Sequence, residues 1–265
     1  MKKVLKILLI SFSLIGLAIL LVAANKSIGK FYMGEPDIEM LAKGEVSLLT
    51  EEELLDELYR AGLFHEKTRK SELKTQEIEA YIKNMNEVES AEVYMELDNQ
   101  WKIFVVTRRP IARVLLNDLK SFYIDDSSEP MWPSPYAKPR ILTISGLEGI
   151  IGDNFKLSQL INNDSLKTKF MLNQSYRISN YVCNDAFYNA QIVQVHYTKE
   201  DGFILIPRIG GQKIIFGSAE TDEEVNDKFQ KLTTFYEEVV PYEGWNTYKI
   251  INLKFKDQIV AKKNN

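Results

Sequence analysis

The residue types that catalysis and metal binding draw on are scarce in this chain, which has 2 histidines and 1 cysteine among 265 residues. A metal site needs several His, Cys or carboxylate ligands at matched spacing. His65 follows a glycine that stops a helix, His196 lies in an alternating strand, and neither has such neighbours. Asp125-Asp126 could form an acid pair, but adjacent residues on a strand point to opposite faces. The serines that follow, and Pro130, make this stretch a turn. Gly210-Gly211 lacks the strand, glycine, helix order of a phosphate loop, because a strand follows it. Cys183 has no second cysteine to pair with and reads as a small buried apolar residue. Together these residues predict no catalytic group, no metal and no cofactor, and therefore no enzyme.

The backbone can do a different kind of chemistry. An unpaired edge strand presents free N–H and C=O groups, a template onto which a partner strand can add. The stretch from Asn246 to Phe255 alternates like a strand near the chain's end. Its period of two puts Ile251, Leu253 and Phe255 on one face, and Tyr248, Ile250, Asn252 and Lys254 on the other. The second face mixes an aromatic, an aliphatic and a cation, as binding surfaces do. An ordinary half-buried strand with a solvated lysine face fits the same residues.

Several elements must hold these residues in place. A short strand over Asp37 to Leu41 precedes a helix started by a Thr50/Glu53 capping box and stopped near Gly62. A second helix starts near Thr75, with Ile78, Tyr81, Ile82 and Met85 at helical spacing. Ala91 to Leu97 and Trp101 to Thr107 form a hairpin about Asp98-Asn99-Gln100. The resulting order is β-α-α-β-β. Further strands are predicted at Phe122–Ile124, Ile141–Ile144, Ala190–Tyr197, Phe203–Pro207, Lys213–Phe216, Thr247–Phe255 and Gln258–Ala261. FILIPRIGGQKIIFG is a hairpin about its glycines. Thr221 and Glu224 cap a long helix that Pro241 stops, and a shorter helix falls at Lys156 to Asp164 or Leu166 to Arg177.

The N-terminus sets the topology. Val4 to Ala24 is apolar apart from Lys6 and two serines, long enough for the roughly 20 residues a transmembrane helix needs. Lys2, Lys3 and Lys6 place its start in the cytoplasm. A cleaved signal peptide ending at Val22-Ala23-Ala24 is the rival, but the run exceeds the usual h-region of roughly 7–15 residues. Setting those three lysines aside leaves 30 basic against 37 acidic residues, a net −7. That balance argues against nucleic acid as a partner. With 45% hydrophobic residues the exterior part is folded, not disordered.

These elements, in this order behind an anchor, resemble the bacterial division protein family FtsQ, also called DivIB. The β-α-α-β-β unit is similar to a POTRA domain. It runs into Arg108-Arg109-Pro110-Ile111-Ala112-Arg113, which resembles the family's R-x-P-x-A junction. Phe122 to Asp126 with Glu129-Pro130-Met131, the Gly202–Gly217 hairpin and the helix carrying FQKLTTFY follow in the family's order. The resemblance implies an α+β chain in five parts. These are a cytoplasmic tail and anchor (1–24), a linker (25–35), a POTRA-like domain (36–109), a mostly antiparallel β-domain with flanking helices (110–262), and a tail (263–265). It further implies a scaffold of the cytoplasmic membrane at the septum, with its bulk in the periplasm. That scaffold binds FtsB- and FtsL-like partners by strand addition, and other division proteins through the POTRA-like domain. The family's D-L-R-Y pattern falls on Asn252-Leu253-Lys254-Phe255, where lysine, a point charge, replaces the arginine fork. Lys254 and Phe255 are then the anchors, and Gln258, Ile259, Val260, Ala261 and Lys262 the edge strand.

Two other classes make different demands. A POTRA-bearing transport or membrane-assembly component would show tandem units or a β-barrel. An anchored secreted hydrolase would show a clustered His or carboxylate site.

Overall fold

The computed structural model describes residues 9–20, 30–44, 47–96, 100–116, 120–151 and 156–264. The chain divides into two compact units, residues 1–42 with 49–107, and residues 43–48 with 108–265. Residues 9–20 are helical. No helix of the described residues is long and apolar enough to cross a membrane. Residues 4–8 and 21–24 of the expected anchor lie outside the described residues, as do Leu97, Asp98 and Asn99 of the expected hairpin turn.

Beyond the helical residues 9–20, the described part of the first unit is a three-stranded sheet with two helices. Its elements are β1 (Asp37–Ala42), α1 (Glu51–Arg60), α2 (Thr75–Lys83), β2 (Val88–Met95) and β3 (Trp101–Thr107). The strand order is β1-β3-β2, with β1 parallel and β2 antiparallel to β3. The Thr50 hydroxyl accepts from the Glu53 N–H while the Glu53 carboxylate accepts from the Thr50 N–H, so the expected capping box starts α1. Leu54, Leu58, Ile78 and Ile82, spaced four apart on their helices, are fully buried with Trp101, Ile103 and Val105. Within the expected linker Met33 is buried, and the Trp101 indole N–H donates to the Gly34 carbonyl at 2.8 Å.

The second unit carries a nine-stranded sheet in the order β12-β11-β10-β9-β8-β7-β4-β5-β6. The strands are β4 (Pro110–Leu115), β5 (Ser121–Asp125), β6 (Pro130–Met131), β7 (Leu142–Ser145), β8 (Ile192–Thr198), β9 (Gly202–Pro207), β10 (Lys213–Gly217), β11 (Tyr248–Asn252) and β12 (Val260–Lys263). The helices are α3 (Glu148–Ile151), α4 (Asp164–Lys169), α5 (Leu172–Asn184), α6 (Ala186–Gln191), α7 (Asp222–Glu238) and α8 (Val240–Glu243). The sheet is mixed. β4 with β7, β7 with β8, and β10 with β11 pair in parallel, while the remaining neighbours run antiparallel. Parallel neighbours need crossovers, and α3 to α6 bridge β7 to β8 while α7 and α8 bridge β10 to β11. Alternate strand residues Val114, Phe122, Ile144, Val195, Leu205, Ile214 and Ile251 join Leu232, Phe229 and Ile178 of the helices in one core. Within it the rings of Tyr181 and Phe229 stack 4.1 Å apart.

Several boundaries differ from the sequence reading. Pro110–Leu115, expected only as a junction, is a strand with proline in its first position, where no ladder N–H is lost. The single shorter helix becomes α4, α5 and α6. Asp185 caps α6 through the Tyr188 N–H at 2.9 Å, which keeps Ala190 and Gln191 helical and starts β8 at Ile192. Pro241 sits in the first turn of α8, where its missing N–H costs nothing.

Candidate functional site

The site is assembled at one end of the large sheet. β12 has a single neighbour, β11, with Asn252 opposite Val260, Ile251 opposite Ala261, and Ile250 opposite Lys262. A bulge between Tyr248 and Ile250 shifts the register so that Tyr248 faces Lys263. The strand therefore runs through Lys263, which was expected in the tail. Ile251 is fully buried and Ala261 packs beside it. Tyr248, Ile250 and Asn252 are half-buried, while Val260 and Lys262 are exposed. On its far side β12 meets no strand among the described residues.

Two of the expected anchors sit elsewhere. The Asn252 side-chain oxygen accepts from the Lys254 N–H at 3.0 Å, a local turn that ends β11 at Asn252. Lys254 and Phe255 consequently lie in the connection to β12, and Phe255 is exposed rather than on the face of Ile251 and Leu253. Gln258 and Ile259, expected in the edge strand, precede it. The alternation fails here because period two holds only while the chain stays extended.

Two residues that sequence reasoning missed hold this connection. Lys231 of α7 donates to the carbonyls of Phe255 and Lys256 at 2.9 and 2.8 Å and pairs with Asp227 at 2.9 Å. Only its helical spacing from the buried face could have flagged it. Gly217 has φ +81°, and a Cβ there would come within 2.7 Å of Lys254 Cγ. Its missing side chain lets the lysine stem cross it.

The far end of β12 is tied by side chains. Lys263 pairs with Glu243 at 2.7 Å and lies over the Tyr248 ring at 5.6 Å, and that ring meets Phe235 edge-on at 5.2 Å. The hydrogen bond to Glu243, with that carboxylate's charge, holds the Lys263 ammonium above the ordinary lysine pKa. The Asn264 N–H donates to the Thr247 carbonyl at 2.8 Å, extending the strand pairing by one step.

The remaining residues singled out in the sequence are structural in their contacts. Arg108 pairs with Asp125 at 2.7 Å, while the other Asp125 oxygen accepts from the N–H groups of Ser127 and Glu129 at 3.0 and 2.8 Å. The acidic pair is thus a turn closed around a buried carboxylate. Arg109 reaches the Asn184 side chain and the Cys183 carbonyl, each at 3.4 Å. His65 Nδ1 accepts from the Lys67 N–H at 3.2 Å. His196 Nδ1 lies 2.9 Å from the Ser145 hydroxyl, which itself accepts from Gln194 at 2.8 Å. Among the described residues, no three His, Cys, Asp or Glu side chains converge as metal ligands do.

The geometry offers an open strand edge, backed by a packed core and fixed at both ends by lysines. A family model described as FtsQ/DivIB, C-terminal related, matches residues 109–262, more than half of the chain. No curated protein matches it.

Proposed function

The chain belongs to the FtsQ/DivIB family, and from that premise we propose a non-catalytic scaffold that captures a partner chain on the open edge of β12. Membership carries a role in cell division and partners among the division proteins. The finer reading is ours: FtsB- and FtsL-like partners add a strand beside Val260–Lys263, and the first unit, POTRA-like in its β-α-α-β-β order, serves another division protein. Residues 4–24 would anchor the chain in the cytoplasmic membrane at the septum, with the bulk that follows them in the periplasm. In support, Leu9, Ile10, Phe12, Leu14, Ile15 and Leu17 on the described helical segment are all exposed, an arrangement that lipid would cover.

One observation carries the proposal, the terminal position of β12 in the sheet order. Strand addition draws its affinity from main-chain hydrogen bonds and its specificity from alternate side chains. Here those are Val260 and Lys262, both exposed.

The test is a pull-down from detergent-solubilised membranes with the full chain, a Lys254→Glu/Phe255→Ala variant and a chain truncated after Asp257. Loss of an FtsB- or FtsL-like partner from the truncated chain is the expected result. Retention of that partner by the truncated chain would refute the edge-strand site. Loss from the double variant as well would extend the site to the connection.

A further inference from the structure

A separate cavity of about 400 Å³ opens on the second unit, at the start of β4 and the end of α5. Its floor is apolar, formed by the buried side chains of Ile111, Leu142 and Val182. Its lining also carries three cations, Arg109, Lys138 and Arg140, and no carboxylate among the described residues that line it. Lys138 and Arg140 flank Pro139 in the segment before β7, and all three line the cavity.

Among the described residues, none forms an ion pair with the cations at this cavity. Arg108 is matched to Asp125 at 2.7 Å, but its neighbour Arg109 meets only the neutral oxygens of Asn184 and Cys183. Neither Lys138 nor Arg140 forms an ion pair with a described residue. Asp126 is the nearby acid, and it engages Arg109 through backbone only, its N–H donating to the Arg109 carbonyl at 3.0 Å. The Cys183 thiol on the cavity wall adds no negative charge, because burial pushes its pKa up. Three cations in one cavity with no ion-pair partner among the described residues, in a chain of net charge −4, form a local exception to the protein's field.

We propose that this cavity binds a phosphate-bearing ligand, its oxygens held by Arg109, Lys138 and Arg140 and its organic body lying on the apolar floor. Guanidinium forks match phosphate oxygens in pairs, and lysine adds a point charge. A cavity of this volume exceeds what a bare ion fills, so a phosphate ester or a phospholipid headgroup shares the required chemistry. The proposal is independent of β12, and variants there leave it untouched.

Calorimetric titration of the full chain in a non-ionic detergent tests it, with inorganic pyrophosphate and with soluble dihexanoyl phosphatidic acid as probes. Saturable binding that weakens about tenfold in Arg109→Gln and in Arg140→Gln, but not in Arg60→Gln on α1, is the expected result. Tighter binding of the lipid than of pyrophosphate assigns the site to a headgroup, and equal or weaker binding assigns it to a soluble phosphate ester. No saturable heat with either probe, or equal affinity in every variant, would overturn the proposal. Lys138 and Arg140 are exposed, so Lys138→Gln and Arg140→Gln decide the question should Arg109→Gln fold poorly.

Discussion

Arg108 and Arg109 stand side by side in the sequence and do different physical work. The Arg108 guanidinium is half-buried against Asp125, which is 4% exposed and accepts two further backbone N–H bonds. Removing one member of a buried pair leaves the other charge without its partner, at a cost of about 3–5 kcal/mol. Arg108→Met should therefore lower the unfolding free energy by about that amount in urea titration. Glu224 supplies a pH-dependent counterpart in α7. Burial raises its pKa, but hydrogen bonds from Lys228, Ser218 and the Glu220 N–H outweigh burial and leave it below its ordinary value near 4.5. A carboxyl lowered in the folded state contributes stability that is present above its unfolded pKa and lost as pH falls through the folded one. Wild type should thus lose more stability than Glu224→Gln between pH 5 and pH 3, measured by unfolding at each pH.

At the scale of elements, α7 governs the site more than the strands do. Its Thr221 cap, with the Glu224 N–H donating to the hydroxyl at 3.1 Å, fixes where the helix starts and so where Lys231 falls. Lys231→Met should release residues 253–259, increasing their amide exchange while β8 and β9 remain protected. Unchanged exchange would show that the connection is held by Ile259 and its packing alone. This helix was legible in the sequence because capping and a 3.6-residue stripe are local signals, and the β9–β10 hairpin was legible because its glycines take positive φ, +99° and +62°. The end of β11 was not legible. It depends on the Asn252 side chain turning back to its own backbone, and an asparagine in an alternating run carries no sign of that choice. The parallel pairing of β10 with β11 was also invisible, since it is set by the crossover through α7 rather than by either strand's residues.

At the scale of the molecule, the order of elements carried the family reading even where individual boundaries moved. Colinearity survives a strand that ends three residues early, whereas site residues do not, which is why Lys254 and Phe255 fell into a connection. The anchoring proposal is also a whole-chain property. The full chain should stay with membranes through alkaline carbonate extraction, and a chain lacking residues 1–24 should be released. Release of the full chain under the same treatment would assign the segment to a cleaved leader. The two ends of the large sheet are unlike, and this bears on self-association. β12 is open, but the opposite edge is β6, two buried residues beginning with Pro130, which has no N–H to offer. Head-to-tail joining of copies needs two competent edges, and among the described residues this sheet has one. Copies that meet strand to strand can do so only as β12 against β12, a two-fold contact that closes on itself, so self-association through this sheet ends at a dimer and does not propagate into a fibre.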